Sequence, residues 1–267
     1  MFVENMIPRI TVIMGIYNCA STLVEALESL EAQTYKRFKV ILCDDGSKDD
    51  TLEVAKKWVQ NHSNYILIQN SYNMGLNATL NHCLEYADTE FVARMDGDDR
   101  SLPHRFEQEV SFLDKHPEFA IVSGPMHYFD ENGIFRKGKG RGVVTKRDFI
   151  AGTPFCHAPC MVRREAYEKV GGYTVNPRLL RVEDYHLWFK MYAAGYKGYS
   201  LKYPIYEMRD DNNAVERRTL KNRINEAYVK YIGYKMIGLP WWTSVYCIVP
   251  IIKAFWPKSL YKWLHKR

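Results

Sequence analysis

Three aspartates stand close together at one point of the chain, directly after a short, mainly apolar run. The run is Phe91–Met95, and Asp96, Asp98 and Asp99 follow it. Because nearby carboxylates repel one another unless a cation lies between them, this cluster favours a hard divalent ion with oxygen ligands. Magnesium-type ions are usually shared between carboxylates and substrate phosphates, which points to a phosphate-bearing ligand. Asp and Gly are also preferred turn residues, so a plain acidic turn is the competing interpretation.

A second acidic cluster is predicted to lie at the same edge of the same sheet. The β-rich runs Arg9–Ile16 and Lys39–Cys43 predict strands, and the second ends in Asp44 and Asp45 before a helix over about residues 50–62. In open parallel sheets the carboxyl edge of the strands is where ligands bind. The two clusters together therefore predict a ligand site at this edge.

A glycine-containing loop is predicted between the two clusters. Tyr65–Gln69 is typical of a strand, and the stretch 73–77 opens a helix that runs to about residue 87. Gly75 would let the backbone approach a ligand, and the Asn77 amide supplies both a donor and an acceptor.

The order of these elements predicts the fold class. Strands and helices alternate through the first hundred residues, which is the βαβ pattern of a parallel sheet in an α/β protein. The 267 residues, 46% of them hydrophobic, are enough for a large core and exclude a disordered chain.

Four blocks in this order resemble the family 2 glycosyltransferases, the large inverting group with the GT-A fold, of the type that makes bacterial surface polysaccharides such as O-antigen and capsule. Val12–Asn18 resembles the opening strand and turn, Cys43–Ser47 the nucleotide-base loop, and Asp96–Asp98 the metal-binding D-x-D motif. Arg181–Trp188 resembles the acidic motif that opens a helix on the acceptor side.

The resemblance implies a Rossmann-like, mostly parallel sheet with helices on both faces, and a helical amphipathic tail. It divides the chain into a nucleotide-sugar-binding half (1–100), an acceptor-binding half (101–215) and a basic, aromatic tail (216–267). The residues that it places at the donor are Tyr17, Asn18, Asp44, Asp45, Gly75, Asn77, Asp96 and Asp98.

Inverting transfer is a single displacement and needs a base for the acceptor hydroxyl. The resemblance assigns this role to Asp184, which the dipole at the start of its helix would keep ionised, and Glu183 would orient the acceptor or Asp184. Ordinary capping of a helix N-terminus by the two acids is the competing interpretation.

The departing diphosphate must also be neutralised, and the resemblance implies Mn²⁺ or Mg²⁺ for this purpose. Asp98 is the expected direct ligand, Asp96 a contact to the ribose or to a metal-bound water, and Asp99 an aid to either. His157, in a segment like the His-Pro-Ser segment of many relatives, is expected to contact the metal, a phosphate or the acceptor. A buried structural histidine is the alternative.

The nucleotide base is expected to contact Asp45, with Asp44 as the weaker candidate. A carboxylate accepts a hydrogen bond from N3–H of uracil, whereas N3 of cytosine is itself an acceptor. UDP is therefore the preferred carrier, although the resemblance also admits GDP and dTDP.

The tail has its own charge and composition. Residues 217–267 contain eleven Lys or Arg and one acid, Glu226, so this segment carries +10 and residues 1–216 carry −4. Trp241, Trp242, Phe255, Trp256 and Trp263 are interspersed with apolar residues and lysines, which suits an anionic lipid surface better than nucleic acid. A tail helix packed on the catalytic domain is the alternative.

The chain is expected to act in the cytoplasm, on the inner face of the cell membrane. Residues 1–8 lack the features of a secretory signal, and the six cysteines show neither a C-x-x-C pair nor zinc spacing, so we interpret them as reduced. The expected partners are a nucleotide sugar and a sugar acceptor, and the tail favours an acceptor that is lipid-linked.

Several alternatives remain open on sequence alone. Transfer to a polyprenyl phosphate is the nearest competitor, but a phosphate acceptor needs little help from a base, so Glu183 and Asp184 favour an alcohol. A catalytically silent module on the same fold is the other. The Gly-rich basic stretch 137–142 is either a mobile loop near phosphates or a simple solvated loop.

Overall fold

A mixed eight-stranded sheet forms the centre of the protein. The structure is a computed structural model that describes residues 7–210 and 219–256. In chain order the strands of the described residues are β1 (Ile10–Ile16), β2 (Phe38–Asp44), β3 (Tyr65–Gln69), β4 (Phe91–Arg94), β5 (Arg100–Ser101), β6 (Ile121–Ser123), β7 (Met126–Asp130), β8 (Gly133–Lys137), β9 (Gly142–Val144), β10 (Met161–Arg163), β11 (Gly198–Ser200) and β12 (Tyr206–Arg209).

Helices follow most of the strands of the first half, as the sequence predicts. They are α1 (Ala20–Glu31), α2 (Thr51–Asn61), α3 (Leu76–Leu84), α4 (Arg105–Lys115), α5 (Asp148–Ala151), α6 (Arg164–Val170), α7 (Glu183–Ala193), α8 (Leu220–Met236) and α9 (Val249–Ala254).

The large sheet has the order β3-β2-β1-β4-β10-β6-β11-β9. Its first four strands are parallel, β10 runs antiparallel between β4 and β6, and β11 is again parallel to β6. A smaller sheet has the order β5-β12-β7-β8. The predicted α/β class with a mostly parallel sheet is confirmed.

The large sheet has a core on each face, because successive side chains of a strand point to opposite sides. Ile13 of β1 belongs to the core that α3, α6, α7 and α8 cover, whereas its neighbours Val12 and Met14 belong to the core under α1, α2 and α4. Burial on both faces explains why these strands are almost continuously apolar in sequence. The prediction of helices on both faces is confirmed.

The carboxyl ends of β1, β2 and β4 lie at one edge of the sheet. Ile16 is level with Asp44, and Ile13 with Arg94. The loops that follow are tightly joined: a Cβ on Gly97 would lie 2.7 Å from Cys19 Sγ, so the position between the two aspartates admits only glycine without a shift. The two acidic clusters therefore share this edge, as predicted.

The described parts of the tail differ in how they contact the rest of the protein. Helix α8 packs on the body: a Cβ on Gly233 would lie 2.2 Å from the Phe189 ring, and Lys230 Nζ donates to the Ile150 carbonyl at 3.1 Å. The interpretation as a packed helix therefore describes α8. The predicted boundary at 215/216 lies outside the described residues.

Beyond α8, the described part of the tail is a 3-10 helix, Trp241–Ile248, followed by α9, and it exposes large apolar side chains. Trp241 is 86% and Phe255 76% exposed. In the described ranges no helix is both long enough and apolar enough to cross a bilayer. The predicted anchor Trp263 and the cations Lys258, Lys262, Lys266 and Arg267 lie outside the described residues.

Candidate active site

The loop after β4 holds its three carboxylates in different environments. Asp98 is exposed, Asp96 is half-buried and Asp99 is buried. Asp99 Oδ1 accepts the backbone N–H of Arg209 at 2.8 Å, and the Asp96 N–H donates to the Tyr206 hydroxyl at 3.2 Å. Burial, and then the charges of Asp96 and Asp98, raise the pKa of Asp99 well above its usual range. The loop is thus a concentrated negative charge that a cation would stabilise.

The donor set fits a divalent ion that substrate phosphates complete. Among the residues that the structure describes, no three His, Cys, Asp or Glu side chains converge on a common metal position. The four predicted ligands are therefore not gathered in one cluster: Asp99 is engaged with β12, and His157 contacts a tyrosine. Asp96 and Asp98 remain at the loop, and two carboxylates with a diphosphate are a common donor set for Mg²⁺ or Mn²⁺.

Arg94 is the functional candidate that the sequence reasoning missed. Its guanidinium is buried, Nη2 donates to Asp96 Oδ1 at 2.5 Å, and Nε has no hydrogen-bond partner among the described residues. Burial alone would lower the pKa of Arg94, but Asp96, Tyr173, Tyr206 and Glu183 raise it above its ordinary value. A charged residue in an otherwise apolar strand is unusual, and this is the feature of the sequence that could have identified Arg94.

Asp184 lies in the first turn of α7, as predicted from the sequence. The N-cap of α7 is Val182, which makes no side-chain cap, so neither Glu183 nor Asp184 is an N-cap residue. Asp184 Oδ2 accepts a hydrogen bond from Thr153 Oγ1 at 3.3 Å. Arg181, just before this turn, has a φ of 67°, a backbone conformation that is rare for non-glycine residues and often found at functional sites.

The environment of Asp184 suits a proton acceptor. Burial, and then the charge of Glu183, raise the pKa of Asp184 to about 7, against the opposing effects of the Tyr185 N–H, Arg94 and Thr153. A carboxylate with a pKa near neutrality can accept a proton from a substrate and release it afterwards. Asp184 therefore has the protonation behaviour of a general base.

Asp184 and His157 line a common cavity of about 510 Å³. His157 Nε2 lies 2.8 Å from the Tyr173 hydroxyl, and its ring meets Trp188 edge-on. Burial, and then Arg94, hold the pKa of His157 well below its usual value, so the ring is neutral. His157 thus lines the same cavity as the predicted base, and among the described residues no hydrogen bond joins its ring to the acidic loop 96–99.

The loop after β2 contains two buried aspartates with different roles. Asp45 accepts three hydrogen bonds, from Asn70 Nδ2 (2.8 Å), Met74 N (2.8 Å) and Gly75 N (2.9 Å). Asp44 Oδ2 accepts the N–H groups of the turn that follows, and its Oδ1 is buried with no partner among the described residues. This geometry favours Asp44 over Asp45 as a ligand contact, because Asp44 Oδ1 lacks a partner among the described residues whereas both oxygens of Asp45 accept hydrogen bonds.

The other predicted donor residues surround this loop. Tyr17 is exposed, and Asn18, with φ 49°, accepts the Lys48 N–H at 2.8 Å. Gly75, with φ 84°, begins α3 and donates its N–H to Asp45. Asn77 is buried and donates its amide to the Thr174 carbonyl at 3.0 Å, so its contact joins α3 to the acceptor half.

Comparisons with known proteins agree with this geometry. A family model described as "Glycosyl transferase family 2" matches residues 11–171. The putative glycosyltransferase EpsE of Bacillus subtilis is 41% identical over 262 residues, which cover 97% of this chain and 94% of that protein. A UDP-Gal:alpha-D-GlcNAc-diphosphoundecaprenol beta-1,3-galactosyltransferase of Escherichia coli is 31% identical, over 85% of this chain and 84% of its own.

Solved structures show the same fold at low identity. Staphylococcus aureus TarS in complex with UDP-GlcNAc has a TM-score of 0.70 at 19% identity, covering 92% of this chain and 71% of its own. A mannosyltransferase from Pyrobaculum calidifontis in complex with GDP-Man and Mn²⁺ has a TM-score of 0.66 at 19% identity, over 98% of this chain and 80% of its own. The chain thus has the predicted GT-A fold.

The positive charge of Arg94 is expected to influence the pKa of Asp184. Arg94→Met should raise the pKa of Asp184 above 7, because the buried positive charge favours the carboxylate, and Arg94→Lys should preserve most of the effect. The pKa is measured by NMR titration of ¹³C-labelled aspartate carboxyls, with the Asp184 resonance assigned by its absence in Asp184→Asn. An unchanged midpoint in Arg94→Met would show that Arg94 does not act on the base.

Proposed function

The chain belongs to glycosyltransferase family 2, and we propose that it transfers a hexose or N-acetylhexosamine, with inversion, from a nucleotide sugar to a hydroxyl of a lipid-linked saccharide in the synthesis of a bacterial surface polysaccharide. The observation that carries the proposal is Asp184, a carboxylate with a pKa of about 7 that lines a cavity. The family and the printed activity of the E. coli relative support it.

The residues divide the reaction between two sides. Asp184 takes the proton of the acceptor hydroxyl while that oxygen bonds to the anomeric carbon and the bond to the donor diphosphate breaks. Asp98, with Asp96 directly or through a water, would hold the Mn²⁺ or Mg²⁺ ion, which supplies Lewis-acid stabilisation of the departing charge. Arg94 holds Asp96 by its hydrogen bond.

The raised pKa of Asp184 also favours one class of acceptor over another. A phosphate acceptor is already ionised and gains little from a base, whereas an alcohol must lose its proton as it attacks. A carboxylate that titrates near pH 7 therefore favours an alcohol over a polyprenyl phosphate.

The donor carrier that we propose is UDP. Asp44 Oδ1 would accept the N3–H of uracil, since it is the buried acceptor of this loop that still needs a partner. Tyr17 and Asn18 lie on the adjoining loop after β1.

For the 3-10 helix and α9 we propose a place on the inner face of the membrane. Trp241 and Phe255 are exposed aromatic side chains, and Lys253 stands between them in the chain. Aromatic side chains with flanking lysines are characteristic of a lipid interface.

The proposed function predicts metal-dependent sugar transfer. Screening nucleotide sugars with Mn²⁺ should reveal donor hydrolysis or transfer that excess chelator abolishes, and Asp98→Ala should lose it because the ion loses its expected direct ligand. Asp88→Ala removes an exposed acid at the start of β4 and serves as the charge-matched control. Full activity of Asp98→Ala, or in chelator, would contradict the metal assignment.

The base assignment predicts both a loss and a pH dependence. In the wild type, kcat/KM should rise with pH and level off above about 7, because the carboxylate form is required and burial raises its pKa. Asp184→Asn should lose roughly 10²-fold or more in transfer while it retains nucleotide binding. Glu183→Gln should move the rise to lower pH, because the charge of Glu183 raises the pKa. Normal turnover of Asp184→Asn would exclude the base.

Substitution of Asp44 should affect nucleotide binding, whereas substitution of Asp45 should affect the stability of the fold. Asp44→Asn should weaken UDP binding by roughly tenfold or more, the value of a hydrogen bond to a charged group, without weakening inorganic pyrophosphate with Mn²⁺. Asp45→Asn should instead lower the melting temperature, because it removes an acceptor that joins two loops. Calorimetric titration and thermal unfolding measure the pair. Equal loss of UDP and pyrophosphate in Asp44→Asn would contradict the base contact.

The exposed aromatic residues should hold the protein on lipid. Trp241→Ser/Phe255→Ser should reduce sedimentation with anionic vesicles by at least about tenfold, because burial of each ring contributes about 2 kcal/mol. The control Ile7→Ser/Tyr203→Ser removes two exposed apolar side chains outside the tail. Equal sedimentation of all three proteins would show that the exposed tail does not bind the membrane.

A further inference from the structure

The cavity at Asp184 has a second, basic wall that the proposed mechanism does not use. Four cations line it, and they are Arg136, Lys137, Lys139 and Arg141. We name these four residues the basic wall. Asp96 and Asp98 do not line this cavity, so the basic wall is separate from the acidic loop 96–99.

The backbone of the basic wall is fixed by its glycines. The segment between β8 and β9 alternates cations with glycines, and the Gly138 N–H donates to the Met126 carbonyl at 2.8 Å. A Cβ on Gly138 would lie 2.6 Å from Met126 O, and one on Gly140 1.7 Å from Leu201 O. These glycines are therefore needed for close packing of the backbone, while Lys137, Lys139 and Arg141 between and beside them are exposed.

The packing determines where the cations lie. With the two glycines pressed against neighbouring backbone, the alternate residues Lys137, Lys139 and Arg141 all line the cavity. The Arg141 N–H donates to Ser200 Oγ at 3.3 Å, which ties the end of the segment to β11. In residues 7–210 and 219–256, no acidic side chain forms a salt bridge with these three cations.

The basic wall and Asp184 line the same cavity. The Arg136 guanidinium lies over the Tyr128 ring, 3.6 Å from its centroid, which fixes the orientation of its donors. The half-buried Cys156 also lines this cavity, and burial raises the pKa of its thiol, with smaller contributions from Arg141, Asp184 and Arg136. The cations and the catalytic carboxylate thus act on the same small volume.

We infer that the basic wall binds the phosphate groups through which the acceptor saccharide is attached to its lipid, and so selects acceptors by charge while a sugar hydroxyl reaches Asp184. The inference rests on the proposed function and adds a subsite to it. Clustered Lys and Arg donors are suited to a diphosphate. The diphosphate of the donor has the same chemistry, and the kinetic test below separates the two sources.

The test compares two acceptors that differ only in the diphosphate group between sugar and decyl chain, namely decyl α-GlcNAc diphosphate and decyl α-GlcNAc glycoside. The wild type should have a KM about tenfold or more lower for the diphosphate, and Lys139→Gln/Arg141→Gln should lose most of this preference. The KM of the donor and the KM of the neutral acceptor should not change. Lys56→Gln/Lys57→Gln makes the same change of net charge on exposed α2 and should behave as the wild type.

Three results would overturn the inference. The first is an equal KM for both acceptors in the wild type, and the second is a KM that rises equally for the neutral and the diphosphate acceptor in Lys139→Gln/Arg141→Gln. The third is a raised donor KM in this variant, which would assign the cations to the donor. If the wild type transfers sugar to neither acceptor, the proposed acceptor class is wrong, and calorimetric titration with decyl diphosphate decides the subsite alone. Binding that depends on Lys139 and Arg141 but not on Lys56 and Lys57 would support the basic wall, and binding equal in all three proteins would exclude it.

Discussion

One buried guanidinium, that of Arg94, joins the two acidic groups of the site. A buried charge is costly unless other charges and hydrogen bonds compensate for it, and here Asp96 accepts a hydrogen bond while Glu183 contributes at longer range. Burial raises the pKa of Asp184, and the same positive charge opposes that rise; burial, and then this charge, lower the pKa of His157. Because the guanidinium interacts with the loop after β4 and with the start of α7, it couples the acidic loop 96–99 electrostatically to the proposed base.

The order of the sheet explains how two halves of the chain meet at Arg94. The parallel strands β1, β2 and β4 bring the donor loops to one edge, and β10 pairs antiparallel with β4. Thr153 and His157 precede β10, so the pairing brings them to the cavity with Asp184. The smaller sheet holds the acidic loop 96–99 in place, because Tyr206 and Arg209 of β12 make hydrogen bonds to Asp96 and Asp99.

The fold and the acidic loops could be predicted from the sequence because they depend on local patterns: apolar strands, turn residues and short motifs. Other features depend on contacts between distant segments. The hydrogen bonds that Asp45 accepts from the N–H groups of Met74 and Gly75 come from another loop and are not visible in the sequence. Arg94 was passed over as part of an apolar run. The glycines at 138 and 140 looked flexible because the carbonyls against which they pack come from Met126 and Leu201.

The central claim is that Asp184 activates the acceptor on the side opposite the departing diphosphate, in a single displacement. The anomeric configuration of the product, read by NMR from the proton coupling at the new linkage and compared with that of the donor, tests it most directly. The account predicts inversion in the first product detected. Retention would require a second displacement and would contradict Asp184 as the sole base.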